Sequence, residues 1–384
     1  MTNRLFAVLR YTAIVTMVAS LFLVAGCDDD DAPTVFDGSV SALIASDQFK
    51  QANTGSADNA LDSLVKYLAL YPDLAATANG TAELTLFAPS NTAFKNLLET
   101  PGFPTKFSLI SPDLIKGVIA YHIVMGKKLK ADLTAKATVP TLYADAGTTT
   151  PAVITVNDDG TLFTGSSNPN IDIVVADQLA SNGVVHVVES VMVPPSVGKA
   201  LIPILGTMAG TVMLGKDFTL LARLVTRADA GYTEDAANGK LKVVSHLARK
   251  DETFLATRAT FFAIPNAVFE AAATAASTTP TAFIDQFTAG AEGTARAILL
   301  NHYVLGRYVV SASTGAEVMH HGGVLDPLSH KTITVFVSTA SPSNPYGVAI
   351  SNTVDSPAES FRPIVTKDVI HTNGIIQVFG GILQ

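Results

Sequence analysis

The sequence predicts an α+β protein made of two tandem copies of one module, and three observations carry the prediction. Three short segments recur in the same order in the two halves of the chain. Within each half, runs at helical spacing come first and β-branched runs follow, an order unlike that of βαβ crossovers. The 384 residues also exceed what a single hydrophobic core usually organises.

Composition sets the outer bounds. Hydrophobic residues make up 48% of the chain and charged residues 15%, enough apolar material for ordinary cores. The net charge of −8 and the lack of a Lys/Arg cluster exclude nucleic acid as a partner, because phosphates demand a concentrated basic surface.

At the N-terminus, Arg4 and Arg10 precede an apolar run from Tyr11 to Ala25, too short for a comfortable membrane span and patterned as a signal peptide. The run ends Leu23-Val24-Ala25-Gly26-Cys27, which resembles the bacterial lipobox, so residues 1–27 read as a lipoprotein signal ending at a lipidated Cys27. Cys27 is the sole cysteine, so no intramolecular disulfide forms. Two or three acyl chains there would hold the protein firmly to a membrane. Asp28 to Asp31 repel one another and open an acidic tether over residues 28–36. An acidic run beside the lipidated cysteine resembles the surface-export signals of Bacteroidota-type lipoproteins. An Asp directly after the cysteine instead marks inner-membrane retention in enteric bacteria. The expected location is a bacterial cell envelope, with the outer membrane and surface exposure favoured.

The first repeated segment is Phe87-Ala88-Pro89-Ser90-Asn91-Thr92-Ala93-Phe94 against Phe262-Ala263-Ile264-Pro265-Asn266-Ala267-Val268-Phe269. A short apolar strand precedes it, and Asn91 and Asn266 are expected to N-cap the helices that follow them. Ser111-Pro112-Asp113 starts another helix, with Leu114, Ile115, Val118 and Ile119 at helical spacing. That helix runs into the second segment, Tyr121-His122-Ile123-Val124-Met125-Gly126 against Asn301-His302-Tyr303-Val304-Leu305-Gly306. Val153 to Val156, the turn Asn157-Asp158-Asp159-Gly160 and Thr161 to Phe163 read as a hairpin. The third segment, Asn182-Gly183-Val184-Val185-His186-Val187 against Asn373-Gly374-Ile375-Ile376-Gln377-Val378, closes each copy with a strand.

The offset between copies grows from 175 at Asn91/Asn266 to 180 at His122/His302 and 191 at Asn182/Asn373. The second copy therefore carries insertions, placed at Met319–Gly323 and Ser341–Pro345, where turn formers cluster. Pro194-Pro195-Ser196 marks the boundary, giving a first domain over 37–196 and a more divergent second over 197–384.

These segments, in this order, resemble the fasciclin (FAS1) family over nearly the whole chain after the tether. The match is specific in the first copy and degenerate in the second, where Pro89, Tyr121 and His186 become Ile264, Asn301 and Gln377. The resemblance implies two wedge-like β-sandwiches with helices packed around them, and a role in adhesion or in binding glycan, matrix or envelope proteins. It brings neither catalytic residues nor a cofactor. In some animal relatives the Tyr-His region contributes to adhesion, which maps the binding candidates onto Tyr121 and His122.

The residues also support a scaffold reading. His122 and His302 are the only histidines kept in both copies, at the end of an apolar segment, and are expected to be buried with both ring nitrogens satisfied. His186 and its counterpart Gln377 read the same way, since an amide forms hydrogen bonds but is no general base. His320, His321 and His330 raise a zinc hypothesis that neighbouring sequence does not strengthen, because adjacent extended residues face opposite ways and no second ligand motif occurs. No Gly-x-Ser-x-Gly elbow or phosphate-binding glycine loop is present, so no enzyme chemistry, metal or cofactor is expected. The function expected is adhesion or surface binding by an envelope lipoprotein. The alternative is a scaffold in a surface polysaccharide-handling or other envelope assembly.

Overall fold

The computed structural model describes residues 35–383 apart from 55, 166–169, 310–323, 326, 330–332, 339–346 and 352–361. Cys27, the Asp28–Asp31 run, both insertion loops and His320, His321 and His330 lie outside the described residues.

The first copy opens with four short helices, α1 (Val40–Ile44), α2 (Gln51–Thr54), α3 (Asp62–Leu68) and α4 (Pro72–Asn79). Strand β1 (Leu84–Pro89) follows, then α5 (Asn91–Leu98), α6 (Pro112–Tyr121) and β2 (Ile123–Met125). The chain then runs through β3 (Thr138–Ala144), β4 (Pro151–Val156), β5 (Leu162–Phe163), β6 (Ile173–Ala180) and β7 (Gly183–Val188). One sheet has the order β2-β1-β7-β6, and β3-β4-β5 forms a second. β1 and β7 pair in parallel, all other contacts in the two sheets being antiparallel.

Both faces of the four-stranded sheet are covered, which is why every residue of β1 and β7 is buried. Phe87, Val124 and Val188 on one face meet Val139, Ile154, Val156 and Leu162 of the smaller sheet, so the two sheets form a sandwich. Leu86, Ala88, Val185 and Val187 on the other face meet Leu43, Leu64, Phe94 and Ile119 of the helices. Each large side chain so buried contributes about 1.5–3 kcal/mol. The expected hairpin is β4–β5, with the Asn157 N–H donating to the Thr161 carbonyl at 2.8 Å.

The second copy repeats the plan. After α7 (Pro195–Leu201) come α8 (Met208–Leu214), α9 (Thr219–Asp229), α10 (Val243–Ala248) and α11 (Glu252–Thr257). Next are β8 (Ala259–Ala263), α12 (Asn266–Ala275), α13 (Pro280–Asp285), α14 (Thr294–Asn301) and β9 (Tyr303–Leu305). Strands β10 (Val324–Leu325), β11 (Ile333–Ser338), β12 (Gly347–Ser351), β13 (Arg362–His371) and β14 (Gly374–Phe379) complete the chain. Here the sheet is continuous, β10-β11-β12-β13-β14-β8-β9, with β14 and β8 as the parallel pair. Pro195 occupies the first turn of α7, where a missing N–H and a preset φ cost nothing.

The two copies touch through backbone. Ile110 and Gly215 form an antiparallel bridge, the Ser111 N–H donates to the Leu214 carbonyl at 2.7 Å, and the Gly206 N–H donates to the Gly102 carbonyl at 3.1 Å. Gly102 has a left-handed φ of 81°, and a side chain there would run into the backbone of Leu205 and Gly206. Ser111 stands at the N-cap of α6 but makes no side-chain cap bond.

Candidate functional site

The residues singled out by the repeat serve almost entirely to tie each copy together. Asn91 is not the N-cap of α5: Ser90 is, its hydroxyl accepting from the Ala93 N–H at 3.1 Å. Asn91 sits one position inside and satisfies a different helix, its Oδ1 accepting from the Ser63 N–H at the start of α3 at 2.8 Å. Its amide nitrogen donates to Gln51 and Asp62. Asn266 departs from the expected cap in the same way. Pro265 stands at the N-cap of α12, and the Asn266 Oδ1 accepts from the Leu220 N–H at the start of α9 at 3.0 Å. In both copies the asparagine fills an orphan donor on a helix that lies far away in sequence.

Asn182 and Asn373 bridge two helix ends. Asn182 Oδ1 accepts from the Val40 N–H at 2.7 Å, while its amide donates to the Gly80 carbonyl at 2.7 Å. Asn373 accepts from Met208 at 3.0 Å and donates to the Leu247 carbonyl at 2.7 Å. Gly183 and Gly374 follow at a place where any Cβ would overlap the carbonyl oxygen of Leu84 or Ala259 on the parallel neighbour.

Tyr121 and His122 do not form a contact surface. Both are buried, and the Tyr121 hydroxyl donates to the Val153 carbonyl at 2.7 Å across the sandwich. His122 donates from Nδ1 to the Val118 carbonyl at 2.7 Å and accepts at Nε2 from the Met192 N–H at 2.9 Å. His302 donates to the Phe262 carbonyl at 2.7 Å and accepts from the Leu383 N–H at 2.8 Å. Desolvation pushes both imidazoles down to about 4 against a weak opposing effect of the backbone bonds, so each ring is held neutral.

His186 and Gln377 do one job with two chemistries. His186 accepts at Nδ1 from the Asp177 N–H at 3.1 Å and donates from Nε2 to the Lys128 carbonyl at 2.8 Å. Gln377 accepts from the Asp368 N–H at 2.9 Å and donates to the Tyr308 carbonyl at 3.0 Å. Asp177 and Asp368 both sit at left-handed φ, 55° and 53°, in irregular stretches of β6 and β13. Burial lowers the His186 pKa. His186→Gln is therefore expected to keep stability at pH 7 within about 1 kcal/mol while reducing acid sensitivity. Urea unfolding of both proteins at pH 7 and pH 5 checks this, and an unchanged pH response would contradict it.

Among the described residues no group of three His, Cys, Asp or Glu side chains is placed to hold a metal ion. Among the described residues a cleft of about 750 Å³ opens where the copies meet. Phe103 and Leu109 line it from the first copy, and Phe218, Arg258, Ile370 and His371 from the second. His371 Nε2 lies 3.2 Å from the Thr211 hydroxyl, and burial pushes its pKa down to about 4. Arg258 ends α11 with φ 57°, a conformation costing a non-glycine residue about 1–3 kcal/mol. Single-copy reading missed Arg258 and His371, because the cleft exists only where the copies join.

A fasciclin-domain family model matches residues 59–194. An uncharacterized protein of Synechocystis is 32% identical over 108 residues, 28% of this chain and 71% of that protein. The transforming growth factor-beta-induced protein ig-h3 of Sus scrofa is 27% identical over 260 residues, 67% of this chain but 29% of that protein. Among solved structures, a FAS1 domain pair from the insect cell adhesion molecule Fasciclin I aligns at 16% identity and a TM-score of 0.31, over 84% of this chain and 96% of the other. With the Synechocystis relative matched at that identity over most of its length and the family model covering the first copy, the chain belongs to the fasciclin family.

Proposed function

We propose that the protein is a cell-envelope lipoprotein, held by acyl chains on Cys27, whose two fasciclin modules mediate adhesion or surface binding. Fasciclin domains are in general involved in adhesion or surface binding. The observation that carries the reading is the internal use of the repeated polar residues. His122, His302, Asn182 and Asn373 each satisfy backbone groups inside a copy, so recognition falls to the outer surfaces and the junction. The Leu23–Cys27 motif and the acidic run after it support anchoring and display. The partner class is a glycan, a matrix component or another envelope protein.

Protease shaving of intact cells, with wild type compared with Cys27→Ala and followed by fractionation, tests display. Wild type is expected in the membrane fraction and cleaved from outside, and the variant released or unprocessed. Attachment of a deletion strain to a panel of glycans and matrix proteins tests adhesion. Unchanged attachment, together with a stoichiometric envelope partner in crosslinked co-purification, would replace the adhesin with a scaffold.

A further inference from the structure

We propose that the cleft between the two copies binds an amphipathic carboxylate, its anionic head paired with Arg258 and its apolar body laid against Phe103, Leu109, Phe218 and Ile370. The cleft, about 750 Å³, lies within the roughly 300–1,000 Å³ typical of small-molecule sites. Its charges do not cancel. Lys216 and Asp217 neutralise each other at 2.6 Å, while the Arg258 guanidinium has no hydrogen-bond or ion-pair partner among the described residues. One uncompensated cation thus faces the cleft in a chain of net charge −8.

The Gly306 N–H donates to the Arg258 carbonyl as the Gly126 N–H donates to the Glu83 carbonyl, so Arg258 occupies the position that holds Glu83 in the first copy. The charge at one structural position is reversed, and the cation is the one that lines the cleft. Beside it, Ile370 is 63% exposed and Leu109 45%, two large apolar side chains left wet at the mouth. A carboxylate suits a lone guanidinium, whose planar fork pairs with two oxygens and one negative charge. A phosphate dianion would call for a second free cation. A neutral ligand would leave Arg258 unpaired while covering it, a desolvation cost without return.

This site is at the junction, one of the surfaces left for recognition, and its test reads neither anchoring nor attachment. Calorimetric titration of the full chain with octanoate, octanol and octylamine tests it, far-UV circular dichroism confirming that each variant folds. Octanoate is expected to bind wild type, octanol to bind about tenfold more weakly or not at all, and Arg258→Gln to weaken octanoate about tenfold or more. Arg258→Glu, which copies the first module's charge, is expected to exchange the octanoate preference for octylamine. Ile370→Asn supplies a second variant, expected to weaken octanoate without altering charge preference. No octanoate binding at millimolar concentration, equal binding by Arg258→Gln, or octanol binding as tightly as octanoate would each overturn the proposal.

Discussion

Gly183→Ala is expected to prevent the first copy from folding while leaving the second intact. Gly183 begins β7, the strand that pairs in parallel with β1, and an added Cβ there would overlap the Leu84 carbonyl oxygen and lie 3.0–3.1 Å from that residue's carbonyl carbon and nitrogen. Neither backbone has room to withdraw, because β1 is hydrogen-bonded on its other edge to β2 and β7 to β6. The preceding Asn182 also fixes the turn through bonds to α1 and to the end of α4. Destabilisation of about 4 kcal/mol or more follows, a large share of what a domain of this size possesses. Gly374→Ala meets the Ala259 carbonyl in the same way and is expected to unfold the second copy instead. Circular dichroism and limited proteolysis separate the outcomes: each variant should keep one protected half, and wild-type protection of both halves would defeat the account.

Acidification should destabilise both copies, and the loss is expected between pH 6.5 and 4. His122 and His302 are fully enclosed, use both ring nitrogens as neutral imidazoles, and have folded pKa values near 4 against 6.5 for a free side chain. As pH falls through 6.5 the unfolded chain takes up protons that the folded chain refuses, so the equilibrium moves toward unfolding. Below about 4 both states are protonated and the loss levels off. Each histidine is worth roughly 3 kcal/mol across that window. His246 and His371, also pushed down to about 4, act in the same direction in the second copy. Melting curves at pH 7.5, 6, 5 and 4.5 measure the effect, and a midpoint constant from pH 7 to 5 would contradict it.

The strands nearest the site were legible in the sequence because β1, β7, β8 and β14 are covered on both faces and so read as unbroken apolar runs. The repeat itself gave the pairing of the copies. Capping was not legible at the level of single residues. Ser90 and Asn91 are adjacent and both are good caps, and only the fold reveals that Asn91 is drawn away by Ser63, 28 positions earlier. The helices between Val40 and Asn79 are four to eight residues long, too short to show a period, and are held by tertiary packing. Asp177 and Asp368 did leave a signal, the same residue at the offset of 191 shared with Asn182 and Asn373. Arg258 left one as well, in its exchange with Glu83, although the sequence does not say that residues 102–109 come to lie beside it.

The parallel pair at the centre of each sheet has a consequence for how the chain is made. β1 waits for a partner about a hundred residues further on, and β8 waits longer still for β14, separations that slow folding because the intervening loop must close first. In each copy the late strand is inserted between two others and does not add to a free edge. During synthesis, therefore, neither module gains its central strand until nearly all of it has emerged. Until then β1 or β8 exposes an open apolar edge, the state in which a holding chaperone has most to grip.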